Sequence, residues 1–490
     1  MPNLASMSFF IPELILSAVA LILFIFALVS DKAGKKGEYA SVIAIAGLLA
    51  SAVFVLKNFN IGSPPLFWGL LVLDKPAAFF KEIFIITALI VIIFSQRSNE
   101  LRAGANDSAE YYSLLVGSVL GMNLLASANN LLMIYLALEF VSLMSFILVG
   151  FARGSSRSSE AALKYVLYGA VASGVFLYGA SLYYGLTGTL DIKSFLTISP
   201  SPHLTISLAG LFILAGFLYK IAAVPMHAWC PDAYEGAPTP ITAFLSVAPK
   251  AAGFAVLMRV FSAAGDGFNW PLIIAVISAA TMTFGNLAAI PQTNVKRLLA
   301  YSSIAHAGYL LMGVASGTPR GAEAVYFYFA AYLVMNLGAF LVVQIIANTS
   351  PPLMGGDIGE GGRESLAAYK GLGRRGASGA ILGITMTIFL LSLTGIPPFV
   401  GFIGKFYIFA AVMDAKLYWL AFIGIANSVV SLYYYMRIVK TIFFDEPADA
   451  VQPAFSSRRL AAILGVLSFA TIFIGLYWQW LSNIVAAVIA

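Results

Sequence analysis

The chain has 490 residues, 60% hydrophobic and only 10% charged, with a mean hydropathy of +0.90. A soluble domain carries about 25% charged residues, so these proportions exclude one and point to an all-α polytopic membrane protein. The net charge of +6 is not a nucleic-acid signal, since the basic residues sit mostly in short loops, and a single cysteine, Cys230, excludes internal disulfides and cysteine-ligated zinc or iron–sulfur sites.

A spanning helix needs about 20 mainly apolar residues. Fourteen such stretches are predicted, at 9–29, 40–57, 77–95, 111–127, 131–151, 161–186, 206–226, 240–263, 270–290, 300–316, 324–347, 378–412, 417–436 and 460–488. The first is too long for a signal-peptide core and no basic residue precedes it, so it is expected to remain as a helix. Loops after odd-numbered helices hold most of the lysines and arginines, among them Lys36, Arg97, Arg157, Arg297, Arg374 and Arg459. The other side holds fewer, chiefly Lys57, Lys75, Lys81, Arg320 and Lys416. The positive-inside rule then places both termini on the side away from the cytoplasm.

Two of these helices are interrupted. The seventh breaks at Pro225 and the twelfth at Ile396-Pro397-Pro398, because proline lacks a backbone donor and clashes with the preceding turn. Grouped as helices 4–8 and 9–13, each unit has its break in its fourth helix. Units five helices apart must insert with opposite orientation, and paired broken helices in inverted repeats mark ion sites near the membrane midplane. The expected layout is an N-terminal three-helix segment over 1–110, five-helix repeats over 111–263 and 264–441, and a C-terminal helix over 442–490.

The candidate site follows from ionisable residues inside apolar runs. A charged side chain at the bilayer centre costs roughly 2.5–3.5 kcal/mol on insertion scales, so each needs a partner or a function. Glu139 lies in LLMIYLALEFVSLMSFILVGF, with Ser142 and Ser145 along its flank. Lys220 precedes the first break and is its natural partner; a glutamate bonded between helices is the competing reading. Lys250 follows Pro249, and Lys405 lies beyond the second break in GFIGKFYIF. Lys164, about one turn into the sixth helix, is either part of this set or an interfacial lysine. His306 shares a polar stripe with Ser302, Ser303 and Tyr309, suited either to a water wire or to interhelical hydrogen bonds. His227 at the first break leaves the same two readings open, and Asp232 and Glu235 either cap the turn or assist proton uptake.

A line of glutamate, lysine and histidine suits proton hopping better than coordination of sodium, which prefers several oxygen ligands. Nothing in the spacing of His227 and His306 favours a haem pair. No dinucleotide fingerprint or phosphate-binding loop is present. No cofactor and no metal are therefore expected in this chain.

At PMHAWCPDAYEGAPTPITAFLSVAPKAAGF, NVKRLLAYSSIAHAGYLLMG and SLTGIPPFVGFIGKFYIF the chain resembles the antiporter-like membrane subunits of NADH:quinone oxidoreductase (respiratory complex I), with the pattern of the subunit N family. The likeness covers essentially the whole chain. The SVAPK block separates it from the related subunit L and the multisubunit sodium/proton antiporters, and Cys230 departs from the usual residue. The resemblance implies proton translocation, with Glu139 paired to Lys220, Lys250 central, Lys405 terminal, Lys164 modulating the pair, and His227 and His306 on the polar axis. It also implies partners: antiporter-like subunits M and L, the small subunit K, and the lipid bilayer of a bacterial inner membrane. NADH, FMN, iron–sulfur clusters and quinone would belong to other subunits. A multisubunit sodium/proton antiporter or a membrane-bound hydrogenase-type complex is the alternative setting.

Overall fold

The computed structural model describes residues 2–29, 36–62, 64–102, 109–152, 154–192, 204–262, 269–349, 364–446 and 457–489. The N-terminal part contains α1 (Pro2–Phe9), α2 (Ile11–Val29), α3 (Lys36–Asn58), α4 (Lys75–Ser95) and the one-turn α5 (Asn99–Arg102). Ahead of α4 lies a small antiparallel ribbon, β1 (Pro65–Leu66) against β2 (Leu71–Val72). Asp74 starts α4 by accepting a hydrogen bond from the Ala77 N–H at 2.8 Å.

The next five stretches form α6 (Ala109–Ser127), α7 (Leu131–Val149), α8 (Ser156–Thr187), the broken pair α9 (Leu204–Ile221) and α10 (Trp229–Gly236), and α11 (Thr239–Ser262). They are followed by α12 (Trp270–Ala289), α13 (Val295–Ala315), α14 (Pro319–Thr349), the broken pair α15 (Gly376–Thr394) and α16 (Val400–Asp414), and α17 (Tyr418–Phe443). The chain closes with α18 (Arg458–Leu476) and α19 (Trp478–Ile489). Helix is the natural state of these apolar runs, because it satisfies backbone donors and acceptors within one segment where water is absent.

Among the described residues, thirteen helices are long and apolar enough to cross a membrane. The remaining expected stretch is α6, a 19-residue helix packed against α2, α4 and α7. The last expected stretch is two helices rather than one. Tyr477 leaves the helix after α18, and in α19 Gln479, Ser482 and Asn483 interleave with the buried stripe Leu481, Val485 and Val488. That pattern gives one apolar face, which lies on α4 and α14.

The two five-helix units share their neighbour relations. The first helix of each packs on the second and the fifth, the third packs on both halves of the broken fourth, and the fourth packs on the fifth. Helices α11, α13 and α14 are buried along nearly their whole length, whereas α2 is largely exposed. The core of the molecule is thus where the two units meet. Of the expected segment boundaries, the one at 263/264 lies outside the described residues.

Candidate functional site

Both interruptions fall where the prolines place them. At the first, α9 ends at Ile221, Ala222 takes a positive φ of 57°, and the chain passes Pro225 before α10 begins. The loose backbone is held by side chains. The Trp229 indole donates to the Tyr219 carbonyl at 2.9 Å, and the Val224 N–H donates to Thr281 Oγ1 on α12 at 3.1 Å. At the second, α15 ends at Thr394, Gly395 turns the chain at φ 90°, and the Gly401 N–H donates to Ser392 Oγ at 3.1 Å. Glycine suits the left-handed turn that closes many helices.

Lys220 lies in the last turn of α9 and is buried. Its Nζ donates to Ser142 Oγ on α7 at 3.2 Å, and Ser142 in turn donates to the Leu138 carbonyl. Glu139, on the same stretch of α7, acts on Lys220 through its charge without lying within ion-pair distance. Glu139 Oε1 is buried and has no hydrogen-bond partner among the described residues.

Lys250 occupies α11 directly after Pro249 and is buried. Its Nζ donates to Ser303 Oγ on α13 at 2.7 Å and stands 5.6 Å from the centre of the Tyr234 ring. Cys230 Sγ is 3.9 Å from the same serine hydroxyl. The buried phenols of Tyr234 and Tyr332 have no hydrogen-bond partner among the described residues.

His306 sits one turn along α13 from Ser302 and Ser303. It is bracketed by two phenols: Nδ1 and Tyr328 Oη share a hydrogen bond of 2.6 Å, and Nε2 and Tyr435 Oη one of 3.3 Å. Tyr435 is also hydrogen-bonded to Ser302. The charges of Lys405 and Lys250 both act on the imidazole. An imidazole can accept a proton on one nitrogen and release it from the other, which two flanking hydroxyls permit.

Lys405 on α16 is buried across the second break. Its Nζ donates to the Thr394 carbonyl at 2.8 Å and to Ser428 Oγ at 3.3 Å, and lies 4.4 Å from the Tyr309 ring centre. Ser428 donates to Tyr309 Oη at 3.2 Å, closing the link back to α13.

Two candidates stand apart from this line. His227 is half-buried with its ring edge against Phe284 at 4.3 Å. Lys164, whose side chain is 42% exposed, pairs with Glu160 at 2.8 Å and Asp232 at 3.0 Å. It thereby joins a charge network in which Arg297 bridges Asp232 at 2.6 Å and Glu235 at 2.7 Å, and Arg157 contacts Glu235. Glu364, in the segment between α14 and α15, meets Lys296 at 2.7 Å; burial pushes its carboxyl up, and the lysine offsets this only partly. Among the described residues no three histidine, cysteine or acidic side chains gather as a metal site.

Sequence reasoning missed Tyr328, Tyr435, Ser428 and Tyr234, and it missed the buried Glu13–Lys81 pair at 2.8 Å joining α2 to α4. A signal did exist on α17, where Asn427, Ser428, Ser431 and Tyr435 recur at helical spacing within an apolar span.

Comparison with known proteins places this architecture. Residues 128–431 match the family profile described as NADH:quinone oxidoreductase/Mrp antiporter, TM. NADH-quinone oxidoreductase subunit N of Chlorobium chlorochromatii is 43% identical over 98% of this chain and 94% of that protein. Subunit N 2 of Chloroherpeton thalassium is 44% identical over 97% and 93%. Among solved structures, a chain of respiratory complex I from Thermus thermophilus superposes with a TM-score of 0.81 at 31% identity, covering 97% of this chain and 99% of that one. A chain of the Mrp complex from a Dietzia species shares the fold, with a TM-score of 0.84 at 22% identity over 98% and 96%. The chain therefore belongs to the NADH:quinone oxidoreductase/Mrp antiporter family, among the antiporter-like, proton-translocating subunit N proteins.

Proposed function

We propose that Glu139, Lys220, Lys250, His306 and Lys405 carry the translocated protons, and that the chain works within a bacterial NADH:quinone oxidoreductase. The observation that carries this is the succession of three buried lysines and a buried histidine on serine and tyrosine hydroxyls, on α9, α11, α13 and α16. The Glu139 carboxylate favours a protonated Lys220. A change in that pairing, imposed by neighbouring subunits, sends the proton toward Lys250. From Ser303 the route passes its neighbour Ser302, whose hydrogen bond to Tyr435 reaches His306, and on toward Lys405, which releases the proton beyond the second break. Lys164 and Asp232 tune this set from its exposed flank, and His227 lines the first break.

Oxidation of NADH and reduction of quinone belong to other subunits, which hold FMN and the iron–sulfur clusters. The neighbours in the membrane are the antiporter-like subunits M and L and the small subunit K. The distribution of basic residues supports insertion in the bacterial inner membrane with both termini outside. The matching neighbour relations of the two five-helix units support inverted repeats over 111–263 and 264–441, flanked by segments 1–110 and 442–490. The test is purification in mild detergent from native membranes. Copurified flavin and iron–sulfur proteins with NADH-driven quinone reduction are expected. A preparation with only multispan proteins and no redox centre would replace this setting with an antiporter complex.

A further inference from the structure

Helix α10 has only eight residues, yet it is gripped on one side and touches the central lysine with the other. Asp232 and Glu235, three positions apart, share one face. Arg297 Nη1 donates to both carboxylates, Lys164 donates to Asp232, and Arg157 contacts Glu235. Just past the helix, the Ala237 carbonyl accepts from Lys296 Nζ at 2.7 Å. Cys230 and Tyr234, four positions apart, point the opposite way, toward Ser303 and Lys250.

Arg297 and Ser303 lie on the same helix, α13, six residues and about 9 Å apart along its axis. Helix α10 is thus fixed against α13 at two heights, at the outer level by charge and at the inner level by the contacts around Lys250. Arg157 and Lys164 add a hold from α8.

We propose that Arg297 is a positioning residue for Lys250: by binding Asp232 and Glu235 together it fixes α10, and so sets where Tyr234 and Cys230 stand against the Lys250–Ser303 hydrogen bond. This rests on the proton-carrying role of Lys250. Arg297 moves no proton itself, since a guanidinium stays protonated in proteins. Its effect passes through the packing of one short helix.

The experiment uses the whole NADH-oxidising complex in proteoliposomes and reads NADH-driven proton uptake. Arg297→Gln is expected to lower uptake about fivefold, a typical size for coupling through packed elements. Arg297→Lys, which keeps the charge within reach of both acids, is expected to restore most of it. Because Arg297 acts through the Lys250–Ser303 contact, combining Arg297→Gln with Ser303→Ala is expected to be no worse than Ser303→Ala alone. Normal uptake by Arg297→Gln, or deficits that multiply in the double variant, would overturn the proposal. If Arg297→Gln does not assemble, Glu235→Gln leaves the Asp232 pair in place and is expected to show the same non-additivity with Ser303→Ala; multiplied deficits again overturn it. Lys250→Met separates the two levels. Full uptake in that variant removes the proton-carrying role of Lys250, whereas its loss beside a normal Arg297→Gln removes only the positioning role.

Discussion

Lys405 Nζ donates to the carbonyl of Thr394, the last residue of α15, at 2.8 Å across the second break. A helix C-terminus leaves carbonyls without intrahelical partners and carries partial negative charge, so an ammonium is stabilised there without a carboxylate. No described carboxylate lies within ion-pair distance of Lys405. The first break disposes of its carbonyls differently. The Trp229 indole takes that of Tyr219, which leaves Lys220 to Ser142 and the Glu139 charge.

Gly395 is the hinge of this arrangement. Its φ of 90° disfavours any side chain, and an added Cβ would stand 2.8 Å from Lys405 Cδ. Gly395→Ala is expected to destabilise the subunit by about 1–3 kcal/mol and to displace Lys405 from the Thr394 carbonyl. Proton uptake by the assembled complex, measured beside its thermal stability, should fall together with it. Unchanged uptake would show that the Thr394 contact is dispensable.

The bracketed imidazole separates hydrogen bonding from proton transfer. Tyr435→Phe removes the hydroxyl that His306 and Ser302 share, at an expected cost of about 1 kcal/mol in stability. His306→Gln keeps polar contacts but cannot pass a proton between two ring nitrogens. Its NADH-driven uptake is expected to drop by about tenfold or more, with the subunit still assembled. Equal, small losses in both variants would mean the histidine is only packing.

Glu13 and Lys81 join α2 to α4 with side chains only 3% and 7% exposed. Breaking a buried pair leaves an uncompensated charge, so Lys81→Met is expected to cost about 3–5 kcal/mol, whereas changing both residues to apolar ones should be nearly neutral. Thermal unfolding of the purified complex measures both. A double variant as unstable as the single one would contradict a purely structural role for the pair.

Lys164 offers the opposite case. With its side chain 42% exposed and two acidic partners, it should behave as a surface ion pair worth about 0–1 kcal/mol. Lys164→Gln is expected to reduce proton uptake by less than about fivefold, in line with that energy. A larger loss would place Lys164 on the proton line itself.

Much of this was legible in the sequence, because a bilayer permits so few backbone solutions. Apolar run lengths marked the long helices from α2 to α18, though not the short α5 and α10, and Pro225 and Pro397-Pro398 located both breaks. Lys220, Lys250 and Lys405 stood out because a charge in an apolar run is rare. Their acceptors did not. Ser142, Ser303 and Ser428 are small polar residues common between membrane helices, and only the packing of α7, α13 and α17 shows which of them meets a lysine. The charge network around α10 was hidden for another reason. Its members come from α8, α10, α13 and the segment before α15, and sequence spacing within one helix says nothing about pairs that distant. The end of the chain misled because α18 and α19 are both apolar, and the turn-out at Tyr477 carries no proline, only Gly475 inside the end of α18.

The most direct measurement is proton uptake into proteoliposomes holding the assembled complex with Lys220→Met, driven by NADH and scored per NADH oxidised. The expected result is a loss of most of the uptake per NADH, with the subunit present at its normal level. Uptake per NADH equal to that of the unaltered complex would contradict a proton path through Lys220.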